Sequence, residues 1–365
     1  MKADILTIHF GVNYGSCLQV YALSESIKKC GIDCKVIDYV PKRYDSWEIY
    51  GKNKLEKYPF PLIALWYLFT LPEREYQRSI FKKFLKRNLS LTRRYKYPDE
   101  LKKDVPLADI YIAGSDQIWN YDYNTPGDYT YMFDFLKNGE KKFAYAASIG
   151  KSQITEAEKS DFKKYLSEFS RITVREKSAK DLLNDCAIKC EVVLDPTFLL
   201  SRQEWKELAI PMKISDSYIL VYVMDNLHKR LIDIAAKLKE KYNHKIYVIT
   251  FKATKDKRVD KEFHYLKPER FLTLFDNAEF VVTNSFHGTA FSVNLNKQFV
   301  SVGKDNYNSR IRDLLELVGL RKHYISNKEN LDVIEDLTKI NYQEINEKLD
   351  MLRKESMTVL LNFFK

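Results

Sequence analysis

A histidine stands where a strand hands over to a helix. In the segment Glu279-Phe-Val-Val-Thr-Asn-Ser-Phe-His-Gly-Thr-Ala290, the β-branched and aromatic run Phe280 to Thr283 reads as a buried strand. Asn284 and Ser285 end it, and Gly288, Thr289 and Ala290 open a helix. His287 therefore falls beyond the carboxyl end of a strand, where open α/β sheets place their ligands. The free N–H groups of the new helix favour an anionic group. An imidazole beside an anion suits proton transfer on a phosphate- or carboxylate-bearing substrate. A lone loop histidine is more often a surface or packing residue, so other segments have to support the catalytic role.

Arg175 lies at the end of a short strand beside Glu176. Arginine holds carboxylate or phosphate in a two-pronged fork; a plain salt bridge to Glu176 is the competing reading. Asp116 and Gln117 follow a strand and Gly114. Asp116 could act as a base or orient a sugar hydroxyl, or it could form an Asx-turn. Trp119 could stack on a sugar face or belong to a core. Arg310 and Arg312 follow a polar loop that begins at Gly303, and either could close on an anion or cover a helix end. Lys304 is less specific. Gly11 and Gly15 let the backbone approach a ligand closely. Their turn is not G-x-G-x-x-G, so the dinucleotide fingerprint fails. Ser285 with His287 lacks a G-x-S-x-G elbow.

The elements that must position these residues alternate along the chain. Strands are expected over 5–9, 35–39, 108–113, 142–148, 171–175 and 191–194, with helices over 17–30, 61–90, 155–169 and 178–186. A second set places strands at 218–224, 245–250, 280–283 and 298–302, helices at 228–242, 268–277 and 311–318, and a helical tail over 341–361. Such alternation predicts an α/β protein of two doubly wound, Rossmann-like parallel sheets facing a cleft. The expected units are 1–210, with a helical insertion at about 55–95, then 211–340, then a C-terminal helix 341–365. Polar residues gather at strand ends in both halves: Asn13, Asp116, Arg175, Asp195, Asp225 and His287.

A chain of 365 residues with 45% hydrophobic content suits two domains, each with a core. The net charge of +10 permits nucleic acid, an anionic membrane surface or an anionic small substrate. No nucleic-acid-binding signature accompanies it, so nucleic acid is not expected. Five cysteines, Cys17, Cys30, Cys34, Cys186 and Cys190, and no apolar leader at the N-terminus suggest reduced thiols in the cytoplasm. Their spacing does not match zinc knuckles, and no metal is expected. The stretch Pro59 to Pro72 is apolar but shorter than the about 20 residues a membrane span needs. A basic stretch to Arg94 follows it. Together they suit a peripheral membrane contact through 59–94, or a buried helix followed by a solvated one.

Six segments, in order, resemble the polysaccharide pyruvyl transferase family: Asn13-Tyr-Gly-Ser-Cys-Leu-Gln-Val-Tyr-Ala-Leu23, Ala113-Gly-Ser-Asp-Gln-Ile-Trp-Asn120, Tyr145-Ala-Ala-Ser-Ile-Gly150, Thr173-Val-Arg-Glu-Lys-Ser-Ala179, Val193-Leu-Asp-Pro-Thr197 and Thr283-Asn-Ser-Phe-His-Gly288. The resemblance covers about residues 5–320. It implies two domains arranged like GT-B glycosyltransferases, the first on the acceptor side and the second on the donor side. It also implies transfer of pyruvate from phosphoenolpyruvate onto two sugar hydroxyls as a cyclic ketal, during cell-surface polysaccharide synthesis. Phosphoenolpyruvate would be a donor substrate, with no cofactor. His287 and Arg175 match donor-site positions, and Asp116 is a further catalytic candidate. Asn13, Tyr14, Gly15, Gln117, Trp119, Ser285, Gly288 and Thr289 are the candidate substrate contacts. Ser285 stands where some members carry arginine, and Arg310 or Arg312 is the candidate replacement. The acceptor could be a lipid-linked sugar at the inner membrane face, a soluble oligosaccharide or a nucleotide sugar. Two other functions fit the same chain. One is a GT-B nucleotide-sugar glycosyltransferase, with Asp225 or Glu279 on the ribose. The other is a non-catalytic polysaccharide-assembly factor.

Overall fold

The computed structural model describes all residues except 45–59, 124–126, 138, 225–226, 252, 304–308, 335–336 and 338. Asp225, Lys304 and the start of the insertion lie outside the described residues. The first half runs β1 (Lys2–Leu6), α1 (Tyr14–Lys29), β2 (Asp33–Tyr39), α2 (Phe60–Asn88), β3 (Leu91–Tyr95), α3 (Pro98–Lys103), β4 (Ile110–Ala113), β5 (Lys141–Ala147), α4 (Glu156–Leu166), β6 (Arg171–Val174), α5 (Lys177–Asp185), β7 (Glu191–Val192) and α6 (Arg202–Leu208). The second runs β8 (Tyr218–Tyr222), α7 (His228–Tyr242), β9 (Lys245–Ile249), β10 (Lys261–Phe263), α8 (Pro268–Asn277), β11 (Phe280–Thr283), α9 (Phe286–Asn294), β12 (Gln298–Gly303), α10 (Ser309–Val318), β13 (Tyr324–Ser326) and α11 (Tyr342–Leu361).

Two parallel-sheet α/β domains result. The first sheet has the order β3-β2-β1-β4-β5-β6-β7 and the second β10-β9-β8-β11-β12-β13. Every pairing is parallel, for example Ile5 with Ile112 and Val282 with Val221. Both faces of such a sheet are covered by helices, so its central strands are continuously apolar rather than alternating. Ile110–Ala113 and Tyr218–Tyr222 are buried at every position. In each sheet the order reverses beside its first strand, between β1 and β4 and between β8 and β11. Crevices for ligands open at such switch points, beyond the carboxyl ends of the strands.

The helix expected over 61–90 is present as α2, which continues through Pro72, while Arg93 and Arg94 at the end of the basic stretch belong to β3. The residue before a proline is biased away from helix, but here the buried face of the next turns holds the helix: Ile80, Phe81, Phe84 and Leu85 enter the core. Five elements, β3, α3, α6, β10 and β13, were not anticipated. The first strand lies three residues earlier than expected, which releases Thr7, Ile8 and His9 into the loop beyond it.

One apolar core runs through both domains. Tyr14 stacks on Phe271 of the second domain at 4.5 Å, and its hydroxyl donates to the Leu266 carbonyl at 3.1 Å. Trp205 packs between Tyr21 and Phe291. Helix α11 then returns to the first domain. Ser356 Oγ accepts from the Leu194 N–H at 3.0 Å, and just beyond the helix Phe363 stacks on Phe143 at 4.5 Å.

Candidate active site

Strand ends of both sheets and the starts of α1, α9 and α10 build the site. After β1, Asn13 is extended and its side chain accepts from the N–H groups of Gly15 (2.9 Å) and Ser16 (3.3 Å). That caps α1 and satisfies two of its first-turn donors. After β4, Asp116 sits at φ +80°, a left-handed conformation that aspartate tolerates better than most residues. Its carboxylate accepts from Ser16 Oγ at 2.5 Å and from the Gln117 N–H at 2.8 Å. The Gln117 bond is to the next residue along, and the bond two residues on runs from the Ile118 N–H to the Asp116 carbonyl at 2.8 Å, so the backbone closes the turn and leaves the carboxylate at the site.

After β5, the Ser148 hydroxyl and the N–H groups of Ile149 and Gly150 donate to Glu176 Oε1 at 2.7, 3.1 and 3.3 Å. Glu176 follows β6, next to Arg175, whose side chain has no solvent exposure. Arg175 Nη1 donates to Asp195 Oδ2 at 2.9 Å and to Ser115 Oγ at 3.2 Å, and Ser115 donates on to Asp195 at 2.8 Å. Thr197 completes the cradle of Asp195 through its N–H (3.0 Å) and hydroxyl (2.8 Å). Arg175 also lies 3.4 Å from Glu176 Oε2 and 3.7 Å from Asp116 Oδ1, with its guanidinium carbon 4.3 Å from the centre of the Phe286 ring.

The second domain brings α9 against this cluster. Ser285 caps α9 by accepting from the Gly288 N–H at 3.2 Å. His287, in the first turn, places Nε2 4.0 Å from Asp195 Oδ2. Gly15 makes the approach possible, since a Cβ there would stand 2.1 Å from His287 Nδ1. Arg310, at the start of α10, is half-buried with its guanidinium carbon 6.0 Å from the same Phe286 ring. The seam is pinned nearby, where Ser178 N–H donates to Asp313 at 2.8 Å.

His287 is 6% exposed, Arg175 4% and Asp195 2%. Burial pushes the His287 pKa below 6.5, with Asp195 pulling it back up, so the imidazole is held towards its neutral form. Burial also opposes the Asp195 carboxylate. His287, Arg175 and the Thr197 donors outweigh it and hold the acid below its ordinary range. Arg175 is likewise held charged against burial by Asp195, Glu176 and Asp116. Buried and without a hydrogen-bond partner are Arg175 Nε and Nη2, His287 Nε2 and Arg310 Nε, together with the acceptor Glu176 Oε2. Buried polar atoms are satisfied as a rule, so four such donors or ring nitrogens in one place mark a site for an oxygen-bearing ligand.

The strand ends bring Asp116, Arg175, Asp195 and His287 together, while Asn13, Gly15 and Ser285 shape the helix starts around them. Other candidates lie elsewhere. Tyr14 is fully buried in the interdomain core. Trp119 is fully buried, its indole N–H donating to the Tyr131 carbonyl at 3.3 Å, so it offers no face to a sugar. Thr289 is buried against Ser301 at 2.7 Å, and Gly288 packs on Thr283 and Tyr222. Gln117 accepts from Asn120 at 2.9 Å beside Gly150. Among the described residues no hydrogen bond or ion pair joins Arg312 to the site. Ser16, Ser115 and Phe286 were not anticipated, although all three fall inside the motif segments. In the sequence Asp195 reads only as a polar strand end, and Glu176 only as a partner for Arg175.

The sequence profile of the polysaccharide pyruvyl transferase family matches residues 13–306. Among curated proteins none matches this chain in sequence. The fold is that of GT-B proteins. UDP-GlcNAc 2-epimerase from Neisseria meningitidis, solved with UDP-GlcNAc, is 11% identical with a TM-score of 0.54, over 100% of this chain and 99% of that one. The S. aureus MnaA–UDP complex is 11% identical with a TM-score of 0.55, over 98% and 90%. The epimerase from Methanocaldococcus jannaschii is 14% identical with a TM-score of 0.52, over 97% and 100%.

Proposed function

Because the chain belongs to the polysaccharide pyruvyl transferase family, matched over residues 13–306, we propose that it moves pyruvate from phosphoenolpyruvate onto two hydroxyls of a sugar. The observation that carries this reading is the group of unpartnered, buried Arg175, Arg310 and His287 nitrogens beside the start of α9. Phosphoenolpyruvate carries a carboxylate and a phosphate, which call for guanidinium forks and helix N-termini. Among the described residues three carboxylates, Asp116, Glu176 and Asp195, face the guanidiniums of Arg175 and Arg310. The α9 dipole therefore has to supply part of the positive field. Asp195 and Ser115 hold Arg175 through Nη1; Nε and Nη2 make no hydrogen bond but lie 3.4 Å from Glu176 and 3.7 Å from Asp116, so a donor anion shares them with these carboxylates.

The reaction proceeds by protonation of the donor's methylene carbon, which makes C2 an oxocarbenium ion. One sugar hydroxyl adds to C2 and loses its proton. The second displaces phosphate from C2 and also loses its proton, closing the ketal. His287 is the acid towards the methylene carbon or the acid/base on the phosphate side, and the two protons lost by the hydroxyls replace the one taken by carbon and the one that leaves with phosphate. An anion arriving beside a neutral, buried imidazole raises its pKa, so donor binding itself prepares His287 to be an acid. Asp116 has the longest separation from Arg175 among the three carboxylates, and it is the candidate to take the acceptor's proton. The acceptor is a sugar; a lipid-linked one at the inner membrane face suits the exposed basic insertion, and the location that goes with it is cytoplasmic.

Calorimetric titration with phosphoenolpyruvate, with UDP-GlcNAc as comparison, tests the reading. Binding of phosphoenolpyruvate that Arg310→Ala loses is the expected result. Arg310 is the better probe because among the described residues it has no ion pair, whereas Arg175→Ala strands buried carboxylates and costs about 3–5 kcal/mol of stability. Binding of UDP-GlcNAc alone would overturn the proposal in favour of nucleotide-sugar chemistry.

A further inference from the structure

We infer that helix α2 is a docking surface for an anionic lipid bilayer. Residues three, four and seven apart share a helix face, and positions 62, 65, 69, 76 and 83 of α2 keep that spacing. They are Leu62, Leu65, Phe69, Tyr76 and Lys83, all exposed. Leu62, Leu65, Leu68 and Tyr76 are more than half exposed, and Phe69 is 77% exposed. The opposite face is anchored through Phe81, Phe84 and Leu85 in the interdomain core. The apolar stripe is thus presented by a fixed helix, and single exposed leucines elsewhere would need no such explanation.

The same face turns basic towards its C-terminal end. Lys82, Lys83 and Lys86 are exposed, and among the described residues none has a hydrogen bond or ion pair. Lys82 and Lys86 line a cleft of about 550 Å³ with Thr92 and Arg94, whose guanidinium is tethered to Asp38 at 3.0 Å. The two acids of the helix are engaged, Glu73 by the Tyr265 hydroxyl and Glu75 with Arg78. Arg87 is paired with Glu269.

The charge pattern selects the occupant. A second copy packed parallel on α2 would set Lys83 against Lys83. Packed antiparallel, it would set the lysines against Leu65 and Phe69. A bilayer accepts both halves at once, with leucine and phenylalanine at the acyl boundary and the lysines among headgroup phosphates. Among the described residues no helix is long and apolar enough to cross a membrane, so the contact is interfacial.

Co-sedimentation with phosphatidylcholine vesicles, with and without phosphatidylglycerol, tests this on the whole chain. The unmodified protein should bind only the anionic vesicles and release as salt rises. The triple variant Lys82→Gln, Lys83→Gln, Lys86→Gln should lose about fivefold in partitioning per lysine. Leu65→Ser with Phe69→Ser should lose binding at low salt as well. Absence of binding by the unmodified protein, equal binding to both vesicles, or wild-type binding by both variants would overturn the inference. So would a dimer in light scattering that the Leu65/Phe69 variant abolishes, since that assigns the face to a second copy. The unmodified-protein arms need no variant to fold, and none of the readouts depends on turnover.

Discussion

At the scale of residues, the site is an ion network under strict control. His287 and Arg175 come from different domains and meet through Asp195. If His287 moves the proton, His287→Gln should lower turnover about 10²–10⁴-fold while phosphoenolpyruvate still binds in calorimetry. Unchanged turnover would remove His287 from the chemistry. Two buried histidines and one buried acid, Asp4, give the pH dependence of stability opposing parts, since burial also pushes Asp4 up to about 6 and favours the fold as pH falls through that value. His287 and His323 are both held below 6.5 by burial. The unfolded chain protonates them first, so their contribution is complete above about 6.5 and is lost as pH falls towards their folded values. Asp195 works lower, its contribution fading only as pH drops through a value below 3.8. Thermal melts at about pH 7.5 and about pH 5.5 isolate the histidine part: His287→Gln should lose less Tm on acidification than the unmodified chain. His287 was legible because a polar residue between an apolar run and a glycine-containing helix start has few other places to go. Tyr14 and Trp119 were not. An aromatic side chain beside a motif can turn into the core as readily as into the cleft, and only packing decides.

At the scale of elements, the start of α1 does two things at once. Asn13 caps it, and Gly15 leaves room for the imidazole of α9. Asn13→Ala should cost about 1 kcal/mol, measured by chemical denaturation. Gly15→Ala should cost more, about 1–3 kcal/mol from overpacking, and should also reduce turnover sharply by displacing His287. Stability loss without loss of turnover would show that the ring has room to shift. The central strands and their helices could be read from composition, since Phe280–Thr283 and Tyr218–Tyr222 are unbroken apolar runs. Edge elements could not. β3 carries Arg93 and Arg94 on a half-covered strand, and β10 and β13 have three residues each. Asp195 was underrated for another reason. Its partners are 80 residues away at Ser115 and 92 away at His287, and only the order of the sheets brings them together.

At the scale of the molecule, the apolar core does not stop at the domain boundary. The two sheets should therefore unfold together. A single transition is expected, with near- and far-ultraviolet circular dichroism melting at one temperature; two separated transitions would mean that the seam contributes little. The chain also passes between the domains twice, once through 193–217 and again where α11 leaves Tyr342, bonded to the Ser292 carbonyl at 3.3 Å, and reaches Ser356 against Leu194 at 3.0 Å. Two crossings with a shared core between them tie the sheets at separate points, so the register that sets His287 above Gly15 is held by connectivity as well as by packing.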